Sequence, residues 1–206
     1  NYDGTNPSPA TFDAVIHLNG TSYSTEMDAG GQQALVDYVA AGGGYMHGEW
    51  NAYQFSNGQM TAMRDLILYD RSSGSEGTVT CTLVPGMENH PVVANVPLVF
   101  SFQAGRNDGL AHVFAVDPVE VLATDDHGND AVVIRELGNA RLVGFNHAGN
   151  YSGYNTLSDV EVQQMYIDAV LWVADIDEDL DGWSPMDGDC DDTDPTAYPG
   201  APEVCD

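Results

Sequence analysis

The sequence predicts an α/β domain followed by a small acidic segment. Three observations predict it: a strand–helix–strand pattern near the N-terminus, a series of strand patterns in mid-chain, and an amphipathic helix that ends where acidic residues begin. The 206 residues suffice for one domain with a hydrophobic core and an appendage. We expect the domain over residues 1–174 and the segment over residues 175–206.

The first elements are predicted to form a β-α-β unit. After a polar loop, the apolar run at residues 12–18 predicts a buried strand. Residues 25–41 predict a helix that is capped by Thr25 and Asp28. Its apolar face consists of Met27, Gly31, Leu35, Tyr38 and Val39. Three glycines end the helix, and residues 45–47 predict a strand parallel to the first, reached by a right-handed crossover.

The rest of the domain is predicted to hold a second helix, several strands and a final helix. The second helix is expected over residues 58–69. The strands are expected over residues 77–83, 98–102, 112–115, 119–124, 131–137 and 141–146, with a hairpin turn at Gly138-Asn139. The final helix is expected to begin at a capping box formed by Ser158 and Glu161 and to end near Ala174.

The charge of the chain excludes some partners and favours others. There are 32 acidic and 5 basic residues, which gives a net charge of -27. A field of this sign repels nucleic acid and anionic lipid and attracts cations. No apolar run approaches the roughly 20 residues that a membrane-spanning helix needs. A solubility surface would explain a diffuse excess of acid, but 12 acidic residues and no basic one lie in the last 32 positions.

The domain resembles the ThuA-like branch of the class I glutamine amidotransferase-like fold. The matching stretches are residues 12–18 (FDAVIHL), 38–48 (YVAAGGGYMHG), 89–92 (NHPV), 138–145 (GNARLVGF) with His147, and 169–174 (AVLWVA). The resemblance implies a flavodoxin-like three-layer sandwich, with helices on both faces of a sheet. Proteins of this kind normally have a strand and a helix before the one at residues 12–18. We therefore expect either a trimmed chain, or another copy or a partner segment that completes the sheet, as in strand-donating filaments.

The resemblance also indicates where a catalytic site would lie. Glutamine amidotransferases carry a nucleophilic Cys on a tight turn after a strand, and the equivalent turn here, residues 46–50, contains neither Cys nor Ser. ThuA-like proteins tend to have a His at this turn, which His47 matches. His47, Glu49, His90 and His147 could converge at the carboxyl edge of the sheet for acid–base chemistry or metal binding. The alternative, which we favour, is that these histidines are satisfied by hydrogen bonds around an inactive cleft.

Aromatic residues suggest a further binding surface. Tyr45, Trp50, Tyr53 and Phe55 follow the second strand, and residues 150–155 hold two more tyrosines among amide and hydroxyl side chains. Aromatic rings beside amides suit stacking against a carbohydrate or contact with a protein, although ordinary packing explains them equally well.

The acidic segment has the composition of a calcium site. Asp177, Asp179 and Asp181 alternate before Gly182, as in the first half of a calcium loop, and the carbonyl of Trp183 would be the next ligand. Position 12 of such a loop is Gly188 instead of Glu, so Asp187 or Asp189 must close it. A second alternating set, completed by Asp191 and Asp194, could hold another ion. Oxygen ligands of this kind favour Ca²⁺, with about two ions bound.

The segment also resembles the Asp/Cys-rich metal-binding repeats of secreted bacterial proteins. The matching stretches are residues 177–183 (DEDLDGW), 187–195 (DGDCDDTDP) and 198–206 (YPGAPEVCD). A disulfide between Cys190 and Cys205 would staple this core-poor segment, whereas Cys81 is expected to pack as a small hydrophobe. From the cysteines we expect a secreted or cell-surface location.

These observations predict a calcium-binding protein with a non-catalytic α/β domain and a structural or adhesive role, within an assembly or filament. The first alternative is a hydrolase-like or sugar-processing enzyme that uses His47, Glu49 and His147. The second alternative is a carbohydrate-binding module.

Overall fold

The computed structural model of the protein describes residues 2–72, 74–149, 151, 153–174, 182–184, 188–191 and 194–201. The strands are β1 (Ala14–His17), β2 (Gly44–His47), β3 (Tyr69–Asp70), β4 (Ser75–Leu83), β5 (Val99–Asn107), β6 (Leu110–Ala111), β7 (Glu120–Asp125), β8 (Asp130–Leu137) and β9 (Ala140–Phe145). The α-helices are α1 (Ala29–Ala40), α2 (Glu49–Ser56) and α3 (Val160–Ala174). Short 3-10 helices lie at Pro9–Thr11, Gly20–Ser22, Thr61–Leu66 and Thr156–Ser158.

The main sheet is mixed, and its strand directions determine which residues meet at one edge. Seven strands lie in the order β1-β2-β9-β8-β7-β4-β5, and β3 pairs with β6 in a separate ribbon. Strands β1, β2 and β9 are parallel, whereas each pair from β9 to β5 is antiparallel. The carboxyl ends of β2, β9, β7 and β5 therefore lie at the same edge. The predicted β-α-β unit is confirmed by the parallel pairing of β1 with β2.

Two hydrophobic clusters cover the two faces of the sheet. One lies beneath α3 and includes Met46, Val143, Met165 and Trp172. The other lies on the opposite face, where α1 and the 3-10 helix Thr61–Leu66 pack. This arrangement of helix, sheet and helix confirms the predicted flavodoxin-like α/β fold.

Contact between α3 and the sheet depends on a glycine in β2. A Cβ added at Gly44 would lie 2.1 Å from the carbonyl oxygen of Val173. Only a residue without a side chain allows the last turn of α3 to approach β2 so closely.

The predicted second helix is wrong in position. The α-helix begins at Glu49, one residue after β2, and ends at Ser56; Gly58, just beyond it, is left-handed with a φ of 79°. Met60 is also left-handed, with a φ of 52°, which prevents one continuous helix up to residue 69. The residues after it form only a 3-10 helix. The residues that were expected to form this helix instead contain the left-handed break and the 3-10 helix.

Two smaller predictions are also wrong. Residues 112–115 are not a strand, because the pairing with β3 involves Leu110 and Ala111. The cap of α3 is Asp159, whose Oδ1 accepts hydrogen bonds from the N–H groups of Glu161 and Val162 at 3.2 and 3.3 Å. Ser158 instead donates to the carbonyl of Asn155 at 2.7 Å. Adjacent Ser and Asp residues both have capping chemistry, and tertiary packing selects the second.

Strand β1 is an edge strand of the seven-stranded sheet. Its Ile16 side chain is 44% exposed, and Phe12, just before the strand, is 48% exposed. Within the described residues β1 pairs only with β2, so its other edge has no partner strand, as predicted. The segment that would complete this edge stays a prediction. Among the described residues no helix has the length and apolar character to cross a membrane.

Candidate functional site

The carboxyl edge of the sheet gathers polar residues from four strands. His47 ends β2, Asp125 ends β7, Asp108 follows β5, and His147 follows β9. A bridge between Asn107 and His147 links the ends of β5 and β9. This is the edge at which α/β folds bind ligands, and the sequence placed His47 and His147 there correctly.

A buried carboxyl pair lies at the centre of this edge. Glu49, the first residue of α2, and Asp108 are both fully buried. Two arginines contact the pair. Arg71 Nε lies 3.1 Å from Asp108 Oδ2 and 3.3 Å from Glu49 Oε1, and Arg106 Nε lies 3.3 Å from Asp108 Oδ2. The four side chains form one network of two acids and two guanidinium groups.

The surroundings of Glu49 favour its protonated form. Burial and the charge of Asp108 raise its pKa to about 8, against the opposing effect of Arg71 and Arg106. Neither carboxylate oxygen of Glu49 accepts a hydrogen bond from the described residues. A protonated Glu49 carries no buried negative charge, and its O–H can donate the hydrogen bond to Asp108 that the ionised form lacks.

An aromatic rim lies beside the carboxyl pair. It consists of Tyr23, Trp50, Tyr53 and Tyr151. Tyr23 stacks on Trp50 with ring centroids 4.3 Å apart, and Tyr151 meets Trp50 edge-on at 5.0 Å. The guanidinium of Arg71 lies 4.4 Å from the centre of the Tyr53 ring. Rings from the two predicted aromatic regions thus meet in one cluster, whereas Tyr45 and Phe55 pack in the core beneath α1.

His47 has a structural role. Its Nε2 accepts the backbone N–H of Leu68 at 2.9 Å, and its Nδ1–H donates to the carbonyl of Gly48 at 3.2 Å. Burial lowers the pKa of His47 to about 4, so the ring is neutral near pH 7. Both ring nitrogens are used, which leaves none for a substrate or a metal.

His147 and His90 do not extend the site. His147 is buried against the rings of Phe102, Phe145 and Tyr166, and burial lowers its pKa to about 3. The expected convergence of His90 is wrong, because it packs edge-on against Trp172 at 5.0 Å, beside the amino end of β9. Residues 89–92 lie in a loop that crosses the opposite edge, which motif spacing alone did not indicate.

Asp125 organises the floor of the edge. Its carboxylate accepts hydrogen bonds from the side-chain amides of Asn107, Asn129 and Asn146 at 2.8 to 3.1 Å. Burial opposes ionisation of Asp125, but these bonds together outweigh it and lower its pKa. Sequence reasoning did not select Asp125, Asp108, Arg71 or Arg106. Their one sequence signal is a polar residue at or just beyond the end of a strand.

The predicted calcium ligands are only partly within the described residues. Asp177, Asp179, Asp181, Asp187 and Cys205 lie outside them. Trp183, Asp189, Asp191 and Asp194 lie within them, as does Cys190, which is exposed with its Sγ 3.8 Å from the carbonyl of Ala197. Among the described residues no three acidic, His or Cys side chains form a metal-binding group. The buried Cys81 packs in the core, as predicted.

Asp189 differs from the other described acids of the segment. It is 8% exposed, its N–H donates to the carbonyl of Ser184 at 3.0 Å, and its Oδ1 accepts the N–H of Asp191 at 2.9 Å. Its Oδ2 is buried and has no hydrogen-bond partner within the residues that the structure describes. Asp194, in contrast, is exposed and caps its own turn through Thr196.

Solved structures share the fold of this chain at low sequence identity. A cytoplasmic protein from Salmonella typhimurium matches with a TM-score of 0.60 and 14% identity, over 84% of this chain and 76% of its own. A protein described as ThuA-like from Parabacteroides merdae matches with a TM-score of 0.57 and 18% identity, over 84% of this chain and 74% of its own. No family model and no curated protein sequence matches the chain.

These likenesses bear on two predictions. They support the resemblance to ThuA-like proteins at the level of the fold. A β-galactosidase from Bacillus circulans also matches, with a TM-score of 0.54 and 14% identity, but 79% of this chain covers only 23% of that enzyme.

The names of two Salmonella proteins, both cytoplasmic, contradict the predicted secreted or cell-surface location. We withdraw that prediction, which rested on two cysteines and a repeat pattern, neither of which specifies a compartment.

Proposed function

We propose that this protein binds calcium through its acidic segment and that its α/β domain has a structural or binding role instead of a catalytic one. The observation that carries the proposal is Asp189. Its carboxylate is buried, accepts a hydrogen bond at Oδ1, and has no partner at Oδ2 among the described residues. Burying an ionised carboxylate in this way is costly unless a cation offsets the loss of hydration.

The neighbouring sequence supplies the remaining ligands that a calcium ion requires. Ca²⁺ takes six to eight oxygen ligands, and alternating aspartates present them from a short loop. Residues 175–194 contain nine aspartates and no basic side chain. The negative end of the α3 dipole lies at Ala174, where these acids begin, and it adds to their mutual repulsion. A divalent cation would relieve both effects.

The test is calcium titration with limited proteolysis of the full chain. We expect heat of binding with CaCl₂, and slower cutting between residues 175 and 206 with Ca²⁺ than with EDTA. Asp189→Asn should weaken calcium binding at least tenfold. The control Glu136→Gln, at an exposed acid of β8, should leave it unchanged. Cutting that is the same with Ca²⁺ and EDTA would argue against the proposal.

The histidines support the non-catalytic part of the proposal. His47 uses both ring nitrogens internally and His147 is enclosed by aromatic rings. Neither is available as an acid or base at the cleft, so we assign no reaction to them.

An assembly role is supported by the open edge of β1. An edge strand offers unpaired backbone groups to an added strand, and Ile16 adds an exposed apolar side chain. We expect the molar mass from light scattering to exceed that of one chain, and Ile16→Lys to reduce it. A single-chain mass at high protein concentration would contradict self-assembly.

A carbohydrate ligand is the second candidate, favoured by the meeting of Tyr23, Trp50, Tyr53 and Tyr151 in one rim. Aromatic faces beside polar groups suit a sugar ring. Titration with neutral oligosaccharides should change tryptophan fluorescence in the native protein and less in Tyr53→Ala. Tyr2→Ala, away from the rim, is the matched control.

A further inference from the structure

Three of the five arginines of the chain are used in two different ways. The guanidinium of Arg135 donates hydrogen bonds to three backbone carbonyls: Nε to that of Asp117, Nη1 to that of Asp65 and Nη2 to that of Val116. Arg71 and Arg106 differ, because the hydrogen bond that each makes within the described residues is donated by Nε to Asp108. A guanidinium carries five N–H donors, so within the described part of the chain the Nη groups of both residues are left for a ligand.

The two available guanidinium groups are fixed in position and reach the surface. A single oxygen, Asp108 Oδ2, holds both Nε atoms, and the side chains of Arg71 and Arg106 are 22% and 28% exposed. The Tyr53 ring supports Arg71 from one side. Gly74 lies against Arg106, since a Cβ there would fall 2.2 Å from its Nε.

The local charge at this point is opposite to that of the rest of the molecule. Arg71 and Arg106 contribute two positive charges, and Asp108 one negative charge. Glu49 is neutral below a pKa of about 8, because it is buried and faces Asp108. The site thus has one positive charge in excess, within a chain whose net charge is -27.

We propose that Arg71 and Arg106 form a binding site for an oxyanion, the carboxylate or phosphate group of a small molecule, at the carboxyl edge of the sheet beside the aromatic rim. The guanidinium fork matches both groups in geometry and charge. A cation is disfavoured here, because the two arginines lie against the carboxylates that would bind it. The anion site shares no residue with the acidic segment.

Glu49 makes this binding depend on pH. The charged groups that face it are Asp108, Arg71 and Arg106. When Glu49 ionises, two carboxylates balance two guanidinium groups and the excess positive charge disappears. Anion affinity should therefore fall as the pH rises through about 8.

Isothermal titration of the full chain, freed of calcium beforehand, with inorganic phosphate and with citrate at low and constant ionic strength tests the site. We expect binding of at least one of the two at pH 7, and the better ligand identifies the anion class. Arg71→Gln and Arg106→Gln should each weaken it tenfold or more, and Arg71→Lys should weaken it less. Arg141→Gln is the control, because Arg141 donates to the carbonyl of Trp172 elsewhere on the molecule.

Glu49→Gln provides the second test. It should bind the anion at pH 7 and lose the decline between pH 7 and pH 9. Melting curves show which variants fold. If Arg71→Gln does not fold, Arg71→Lys takes its place, because it keeps a positive charge beside Asp108. Failure of both anions to bind at about 10 mM would overturn the proposal. So would a loss of binding in the folded Arg71→Gln or Arg106→Gln variant that is no larger than the loss in Arg141→Gln.

Discussion

The backbone N–H of Leu68 donates a hydrogen bond to Nε2 of His47 at 2.9 Å, and it connects the end of β2 to the segment that leads into β3. Both groups are buried. His47→Ala would leave the Leu68 N–H without a partner and open a cavity, at a cost of about 3–5 kcal/mol. Urea denaturation should show this loss, while His112→Ala, at a partly exposed histidine, should cost under about 1 kcal/mol. Similar losses for both variants would contradict the structural role of His47.

Acid should destabilise the protein through its buried histidines. Burial lowers the pKa of His17 and His47 to about 4 and that of His147 to about 3, from 6.5 in the unfolded chain. The unfolded state therefore binds more protons below pH 6.5, and stability falls as the pH drops from 6.5 towards 4. Each ring contributes up to about 3 kcal/mol to this loss. Denaturation midpoints at pH 7 and pH 5 measure it, and an unchanged midpoint would contradict it.

Glu49 has the opposite pH dependence. Its pKa is about 8 in the folded protein, against 4.5 for an exposed Glu, so the folded state binds more protons between these values. Its contribution to stability is complete below pH 4.5 and is lost as the pH rises through 8. Glu49→Gln should remove this loss and melt at a higher temperature than the native protein at pH 8.5. Near pH 5 the two melting temperatures should converge, and Glu136→Gln should show no such change.

The contact between Gly44 and Val173 predicts a large effect of one methyl group. In Gly44→Ala the new Cβ would overlap the last turn of α3, and we expect a loss of about 2–4 kcal/mol. Gly77→Ala is the comparison, since its surroundings are open and only its φ of 108° opposes the change, at about 1 kcal/mol. Equal losses in thermal melts would show that steric overlap with α3 is not the cause.

Several elements could be predicted from local sequence because local interactions determine them. The β-α-β unit follows from apolar runs separated by a helix-period pattern and three glycines, and the β8–β9 hairpin follows from Gly138-Asn139. The position of α2 could not be obtained in this way. It depends on where β2 ends and on the left-handed turns after Asn57, which apolar spacing does not reveal.

The candidate site, like the fold, could be predicted from the sequence only in part. The sequence by itself determined that the chain is strongly acidic, that its acids concentrate beyond α3, and that the turn after β2 holds Glu49 but no Cys or Ser. Only the tertiary structure decided that Glu49 meets Asp108, Arg71 and Arg106, because these residues are 22 to 59 positions away and come together through strand order. Burial is also a tertiary property, and it determines which histidines stay neutral and which carboxyl keeps its proton. Charge and periodicity can be taken from single residues and their neighbours, whereas pairing and desolvation arise only when distant segments pack.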